Sequence, residues 1–321
     1  MRLLACLVYL LNCCLATSAS WQLLSPDSQP TKRHEAAFVE LNGKFYLLGG
    51  RGIKPVEVYD PATNSWEAKS PTPIELHHFQ ALAVENRIYV VGAFTGPYPN
   101  ETPVPVIHIY DPATDVWTTG ASVPENRRRG AAGAVLHQGA IFVVCGIVEG
   151  HLGHFVPWVD RYDLATNEWT PLADAPRPRD HFQAVVVSNQ IVAAGGRVSS
   201  GKTKQVFQLT VPQVDIYDIS SNSWRTLDQP LPTPRAGCFA VAVGDHVVIA
   251  GGESGTQGEA HYEVEAFDLQ RNTWKSLPRL ATPRHGTGII YWDGQFYTAA
   301  GCARRGGSPE QDSIERLRWR P

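Results

Sequence analysis

Five times along this 321-residue chain an aromatic-Asp pair is followed seven residues later by Trp. The pairs are Tyr59-Asp60 with Trp66, Tyr110-Asp111 with Trp117, Tyr162-Asp163 with Trp169, Tyr217-Asp218 with Trp224, and Phe267-Asp268 with Trp274. The Trp residues stand 51, 52, 55 and 50 positions apart. A period near 50 residues, with room for several short strands in each copy, is the signature of a β-propeller.

A second landmark sets the register within each copy. A short apolar run, such as Phe45-Tyr46-Leu47-Leu48, ends in Gly49-Gly50; the equivalents are Gly92-Ala93, Cys145-Gly146, Gly195-Gly196, Gly251-Gly252 and Ala300-Gly301. Such runs read as strands buried on both faces. Upstream of each lies another strand, joined to it through a pair such as Asn42-Gly43 or Gln138-Gly139, suited to the positive φ of a tight hairpin. The Tyr-Asp segment forms a third strand. The Asp-Pro-Ala-Thr-Asn turn then leads to the Trp strand, because Pro presets φ and Asp and Asn bond nearby backbone. The Trp side chains are expected between blades, each indole needing one acceptor.

The sixth copy stops at Pro321 without its Trp strand. Trp21-Gln22-Leu23-Leu24 supplies the missing Trp-x-x-Leu, which recurs at Trp169–Leu172, Trp224–Leu227 and Trp274–Leu277. The expected fold is therefore all-β, a six-bladed propeller closed by an N-terminal strand completing the last blade, which leaves no open sheet edge at the seam.

The Gly-Gly, Tyr-Asp and Trp spacing resembles the kelch repeat across residues 21–321. That resemblance implies fold more firmly than function, since kelch propellers include enzymes, actin binders and substrate adaptors.

Arg2, an apolar run over residues 3–15 and small residues up to position 20 read as a secretory signal peptide. The expected domain division is residues 1–20 as signal and 21–321 as one propeller, secreted or, in a bacterium, periplasmic. Without residues 1–20 the chain carries 27 Lys and Arg against 31 Asp and Glu, which gives no reason to expect nucleic acid or an anionic membrane as partner. The expected state is a monomer with an extracellular protein or glycan ligand. Cys145, Cys238 and Cys302 lie in different copies, so they read as buried apolar side chains and not as a disulfide framework. No cofactor is implied, and no residue is assigned to a metal.

Laying the copies in register exposes the candidate site. Just before the innermost strand stand Arg33, Leu76, Arg129, Arg179, Arg235 and Arg284. The five Arg either tie blades together through loop carbonyls or ring the channel mouth with positive charge suited to a carboxylate. The next two columns break the symmetry: His34, His77, Gly130, Asp180, Ala236 and His285, then Glu35, His78, Ala131, His181, Gly237 and Gly286. These groups either line a water-filled channel or form a proton-transfer or metal site.

Long connections between second and third strands (residues 95–104, 148–158, 198–212, 255–262 and 304–313) bring Tyr98, His151, His154, Phe155, Trp158, Phe207 and Tyr262 to the same face. Asn100-Glu101-Thr102 is a glycosylation sequon.

The favoured expectation is a binding module for protein or glycan. The alternative is a sugar mutarotase or epimerase acting on an acidic sugar such as sialic acid, implied by similarity to exported six-bladed kelch proteins, with His78, His181 or Glu35 as acid/base. A copper-radical oxidase of the galactose oxidase type, whose central domain is also kelch, fits poorly: no Tyr-His pair stands in strand context.

Overall fold

A computed structural model describes residues 19–321; the apolar run of the expected signal peptide lies outside the described residues. Six four-stranded antiparallel sheets stand around one axis. In blade 1 the strands are Ala36–Leu41, Lys44–Gly49, Pro55–Asp60 and Ser65–Pro71, in that order from axis to rim. Blade 6 takes Ile289–Trp292, Gln295–Ala299 and Ile314–Arg318 from the C-terminal end, and its outer strand is Gln22–Leu23, paired antiparallel with Gln22 opposite Arg316.

The hairpin turns follow local chemistry. Asn42, Gln138 and Asp293 hold φ of 52°, 46° and 46°, each followed by a Gly at positive φ. In the Tyr-Asp turns, Tyr59, Tyr110, Tyr162 and Tyr217 each donate from the hydroxyl to the Asn or Asp five residues on, at 2.6 Å.

The cores lie between blades. One cluster joins Leu48, Val56 and Val58 of blade 1 to Leu76, Ile88, Val90 and Tyr110 of blade 2, and the pattern recurs around the ring. The Trp side chains cap these interfaces from the rim: the indoles of Trp169, Trp224 and Trp21 donate to Ser122 O, Ala173 O and Pro278 O of the preceding blade, at 2.9, 2.9 and 3.0 Å. Only Trp21 is buried; the five repeat Trp are half-buried, because the fourth strand is the solvent edge of each sheet, and the buried indole N–H groups of Trp66, Trp117 and Trp274 have no acceptor.

In the five pairs that end in Gly, all but that of blade 2, this second Gly is forced by close approach. Its N–H donates to the carbonyl before the next blade's inner strand, as Gly196 does to Arg235 O and Gly301 to Arg33 O, at 2.9 and 2.8 Å. With Gly196 at φ +93°, an added Cβ would sit 2.8 Å from Asp180 O. Cys145, Cys238 and Cys302 are buried and unpaired.

Candidate functional site

The Arg column lies inside the blades. Arg33, Arg129, Arg179, Arg235 and Arg284 are at most 3 % exposed, and each is ion-paired to an acid in its own blade's third strand: Glu57, Asp160, Asp215, Glu265 and Glu315. Their remaining donors satisfy carbonyls, as Arg235 does with Ile249 O at 3.0 Å and Thr233 O at 2.6 Å. Of the two readings of this column, the ring of positive charge at the mouth does not form, and the tie to loop carbonyls is made within each Arg's own blade, where every guanidinium is also consumed by an acid of the third strand. Blade 2 replaces both partners at once, with Leu76 and His108. That paired replacement was visible in the sequence.

Two residues after the Arg column the backbone is left-handed in every blade: Glu35, His78, Ala131, His181, Gly237 and Gly286 have φ between 49° and 64°. This geometry turns each peptide toward the next blade. His78 N donates to Glu35 O, Ala131 N to His78 O, His181 N to Ala131 O, Gly237 N to His181 O, Gly286 N to Gly237 O, and Ala36 N to Gly286 O. A closed girdle of six backbone hydrogen bonds encircles the axis. Four of its members carry side chains at a φ that L-residues adopt at a cost, a kind of strain that clusters at functional sites.

Below the girdle the axis is bridged. Gln80 of blade 2 donates to Ala184 O and accepts from Ala134 N and Ala184 N, while Gln183 of blade 4 donates to Thr287 O and accepts from Ala240 N. The shared His-Phe-Gln-Ala motif therefore places one His above and one crossing Gln below in two blades. Above the girdle opens a cavity of about 500 Å³, lined by His34, Glu35, His78, Arg51, Tyr98, His151, Arg197, Phe207 and Glu253, among others.

Of the sequence candidates, His34, Glu35 and His78 line this cavity; His181 sits at the girdle beneath it. His77, Asp180 and His285 form a layer behind and do not line it. His77 Nδ1 meets His78 Nδ1 at 2.6 Å, and its Nε2 meets Gly96 O at 3.1 Å. Asp180 Oδ1 lies 2.5 Å from His181 Nδ1 and accepts from Ser199 Oγ at 2.8 Å. His34 Nδ1 pairs with Glu310 at 2.7 Å. Asn100 is exposed on the rim beside Tyr98.

Sequence reasoning missed Arg51, Arg197 and Glu253, which directly follow the Gly pairs of blades 1, 4 and 5. The same alignment carried one step further reads Arg51, Phe94, Ile147, Arg197, Glu253 and Cys302, a column as asymmetric as the His column. It also missed Glu101, which pairs with Arg51 at 2.6 Å and stands 2.9 Å from His151 Nδ1, off the line of the ring N–H.

Burial pushes the His78 imidazole well below its ordinary range, helped by His77, His181 and His151. His181 is lowered as well, by burial and by Arg197, against the opposing pull of Asp180. Glu253 behaves oppositely: burial resists its ionisation, but His285, Arg197 and the Gly306 N–H bring it down to about 2. For His285, burial opposes the charge, and Glu253, Cys302 and Glu35 outweigh it, raising the group to about 10. Its Nε2–H faces Arg304 O and Gly306 O, both at 2.9 Å.

Because the folded value of His285 lies above the free-chain value, its contribution to stability is complete below about pH 6.5 and is lost as pH rises toward 10. The melting temperature of the wild type is expected to fall across that window more steeply than that of His285→Gln. Parallel slopes in a calorimetric pH series would show that His285 is not charged.

This architecture, six kelch blades around an axial pocket with a backbone girdle, defines the chain as a kelch-repeat propeller. A model of the Attractin/LZTR1 beta-propeller family matches residues 9–260, and the chain belongs to that family. It is similar to "Kelch-like protein terF" of Aspergillus terreus, 30 % identical over 85 % of this chain and 61 % of that protein. "Kelch-like protein 25" of Xenopus tropicalis is 28 % identical over 80 % of the chain and 42 % of that protein. The chain thus spans about half the length of these curated relatives. The solved structure titled "Structure of YjhT" superposes with a TM-score of 0.74 at 16 % identity, covering 90 % of this chain and 96 % of that one, a likeness of fold alone.

Proposed function

We propose that the chain is an exported interaction module, and that its axial pocket receives a neutral, hydroxyl-rich ring such as a sugar, free or carried by a protein. The kelch-like relatives support an interaction module, and the N-terminal apolar run supports export. The carrying observation is the charge balance of the pocket. In its wall and in the layer directly behind it, three cationic groups (Arg51, Arg197 and protonated His285) face four carboxylates (Glu35, Glu101, Asp180 and Glu253). Arg51 and Arg197, the two guanidinium groups that line the cavity, are taken by Glu101 and Glu253, so the balance weighs against a sialic acid carboxylate held between them. Tyr98, 56 % exposed at the rim, offers an aromatic face for a pyranose ring, and the buried carboxylates offer acceptors for its hydroxyls.

A panel of immobilised neutral and sialylated glycans, probed with the purified protein, is expected to yield neutral binders. Tyr98→Ala should weaken them about tenfold, the equivalent of about 1.4 kcal/mol. Preference for sialylated probes, or affinity unchanged in Tyr98→Ala, would overturn the reading.

A further inference from the structure

We propose that His78, His151 and His181 form a three-imidazole centre for a divalent first-row transition metal of the zinc class. The site goes beyond the pocket's ligand reading and does not depend on it. One nitrogen of each ring lies within 4.8 Å of the others, and all three side chains are buried. The Nε2 atoms of His151 and His181 are 3.0 Å apart, close to the spacing of about 3.3 Å between two nitrogens held by one tetrahedral zinc at 2.0–2.1 Å.

The outer partners decide the tautomers. A carboxylate accepts only, so Asp180, itself fixed by Ser199 N and Oγ, holds the proton of His181 on Nδ1. Glu101, anchored by Arg51, makes no aligned hydrogen bond to His151, but its negative charge 2.9 Å from Nδ1 favours the proton on that nitrogen. His77 gives its Nε2–H to Gly96 O, so its Nδ1 accepts the Nδ1–H of His78. All three rings are thereby left with a lone pair on Nε2. Two such lone pairs confront each other at 3.0 Å between His151 and His181, and that of His78 faces a Glu35 oxygen at 3.5 Å. Acceptors turned on one another in a buried space call for a cation between them. Carboxylate-backed imidazoles are the usual outer shell of protein-bound zinc.

The scaffold holds the centre rigidly. His78 and His181 sit in the backbone girdle, and His151 is delivered by the turn Gly150–Leu152, part of the long blade-3 loop that reaches over the mouth. His78 and His151 line the cavity, so a fourth coordination position opens toward it. Three protein nitrogens with one open position is the pattern of a reactive or ligand-exchanging zinc site, whereas purely structural sites are closed. An all-imidazole donor set suits Zn²⁺, Co²⁺, Ni²⁺ or Cu²⁺ over Mg²⁺ and Ca²⁺.

The test is a titration of chelator-treated full-length protein with Co²⁺, read by its visible absorption, followed by displacement with Zn²⁺. One equivalent per chain is expected, with the intense bands of a low-coordinate Co²⁺ site and a melting temperature that rises with Zn²⁺. His151→Ala lies on a loop and should fold normally while losing at least 100-fold in affinity. Asp180→Asn should weaken binding 10- to 100-fold, and His154→Ala should change nothing. No saturable binding of either metal to the folded wild type, as expected if a shared proton bridges the rings, would overturn the proposal. So would binding that survives both His151→Ala and His181→Ala. Neither readout depends on the glycan panel.

Discussion

Removal of residues 21–24 is expected to lower the melting temperature by more than 10 °C, or to prevent folding altogether. These residues contribute the outer strand of blade 6, with its pairing to Ile314–Arg318, and the Leu24 N–H bonded to Ile314 O at 2.9 Å. Trp21 is 6 % exposed against Phe239, Leu277, Phe296 and Leu317, so it spans the interface of blades 5 and 6. Losing a buried Trp alone costs about 3–5 kcal/mol, and an unpaired strand edge at the ring's seam adds to it. At roughly 2–4 °C per kcal/mol for chains approaching this size, Trp21→Ala by itself should lower the midpoint on the order of 10 °C. Thermal scans of the truncated chain and of Trp21→Ala check this. A midpoint unchanged on truncation would show that the ring closes without the strand.

The second large effect is expected from the buried ion pairs. Arg235→Leu should cost about 3–5 kcal/mol, because Glu265, 4 % exposed, keeps its bond from Thr233 Oγ1 but loses its cation. Blade 2 supplies the natural control, since Leu76 and His108 occupy the equivalent positions without any ion pair. The double variant Arg235→Leu with Glu265→His should therefore be more stable than Arg235→Leu alone. Denaturant melts of the two singles and the double, read as a cycle, measure the coupling. Additive losses would mean that the guanidinium acts through its carbonyl contacts to Thr233, Ile249 and Gly251, with little from the acid.

The blade pattern was legible because it is written in short-range chemistry. Asn42-Gly43 needs only its own φ angles, and the Tyr59 hydroxyl needs only Asn64 five residues away. Repetition then multiplied each weak local signal, and the Trp21 strand could be placed by matching it to three sister strands. The site was legible only as columns. The position before the inner strand left a structural tie and a charge ring both open, since nothing local tells that Arg33 meets Glu57 inside its blade. The column after the Gly pair, with Arg197 and Glu253, passed unnoticed because its residues pair across blades, with Glu253 reaching both Arg197 and His285.

What the sequence by itself determined is the all-β propeller, its six blades and its closing strand. Each repeat buries its faces only against a copy of itself, so periodicity and burial carry the same information. What only the tertiary structure decided is the face that such packing leaves unconstrained. His78, His151 and His181 come from a blade-2 girdle position, a blade-3 loop and a blade-4 girdle position. Their rings meet because two left-handed turns and one long loop converge on the axis. Convergence of that kind depends on the closed ring, and no single repeat contains it.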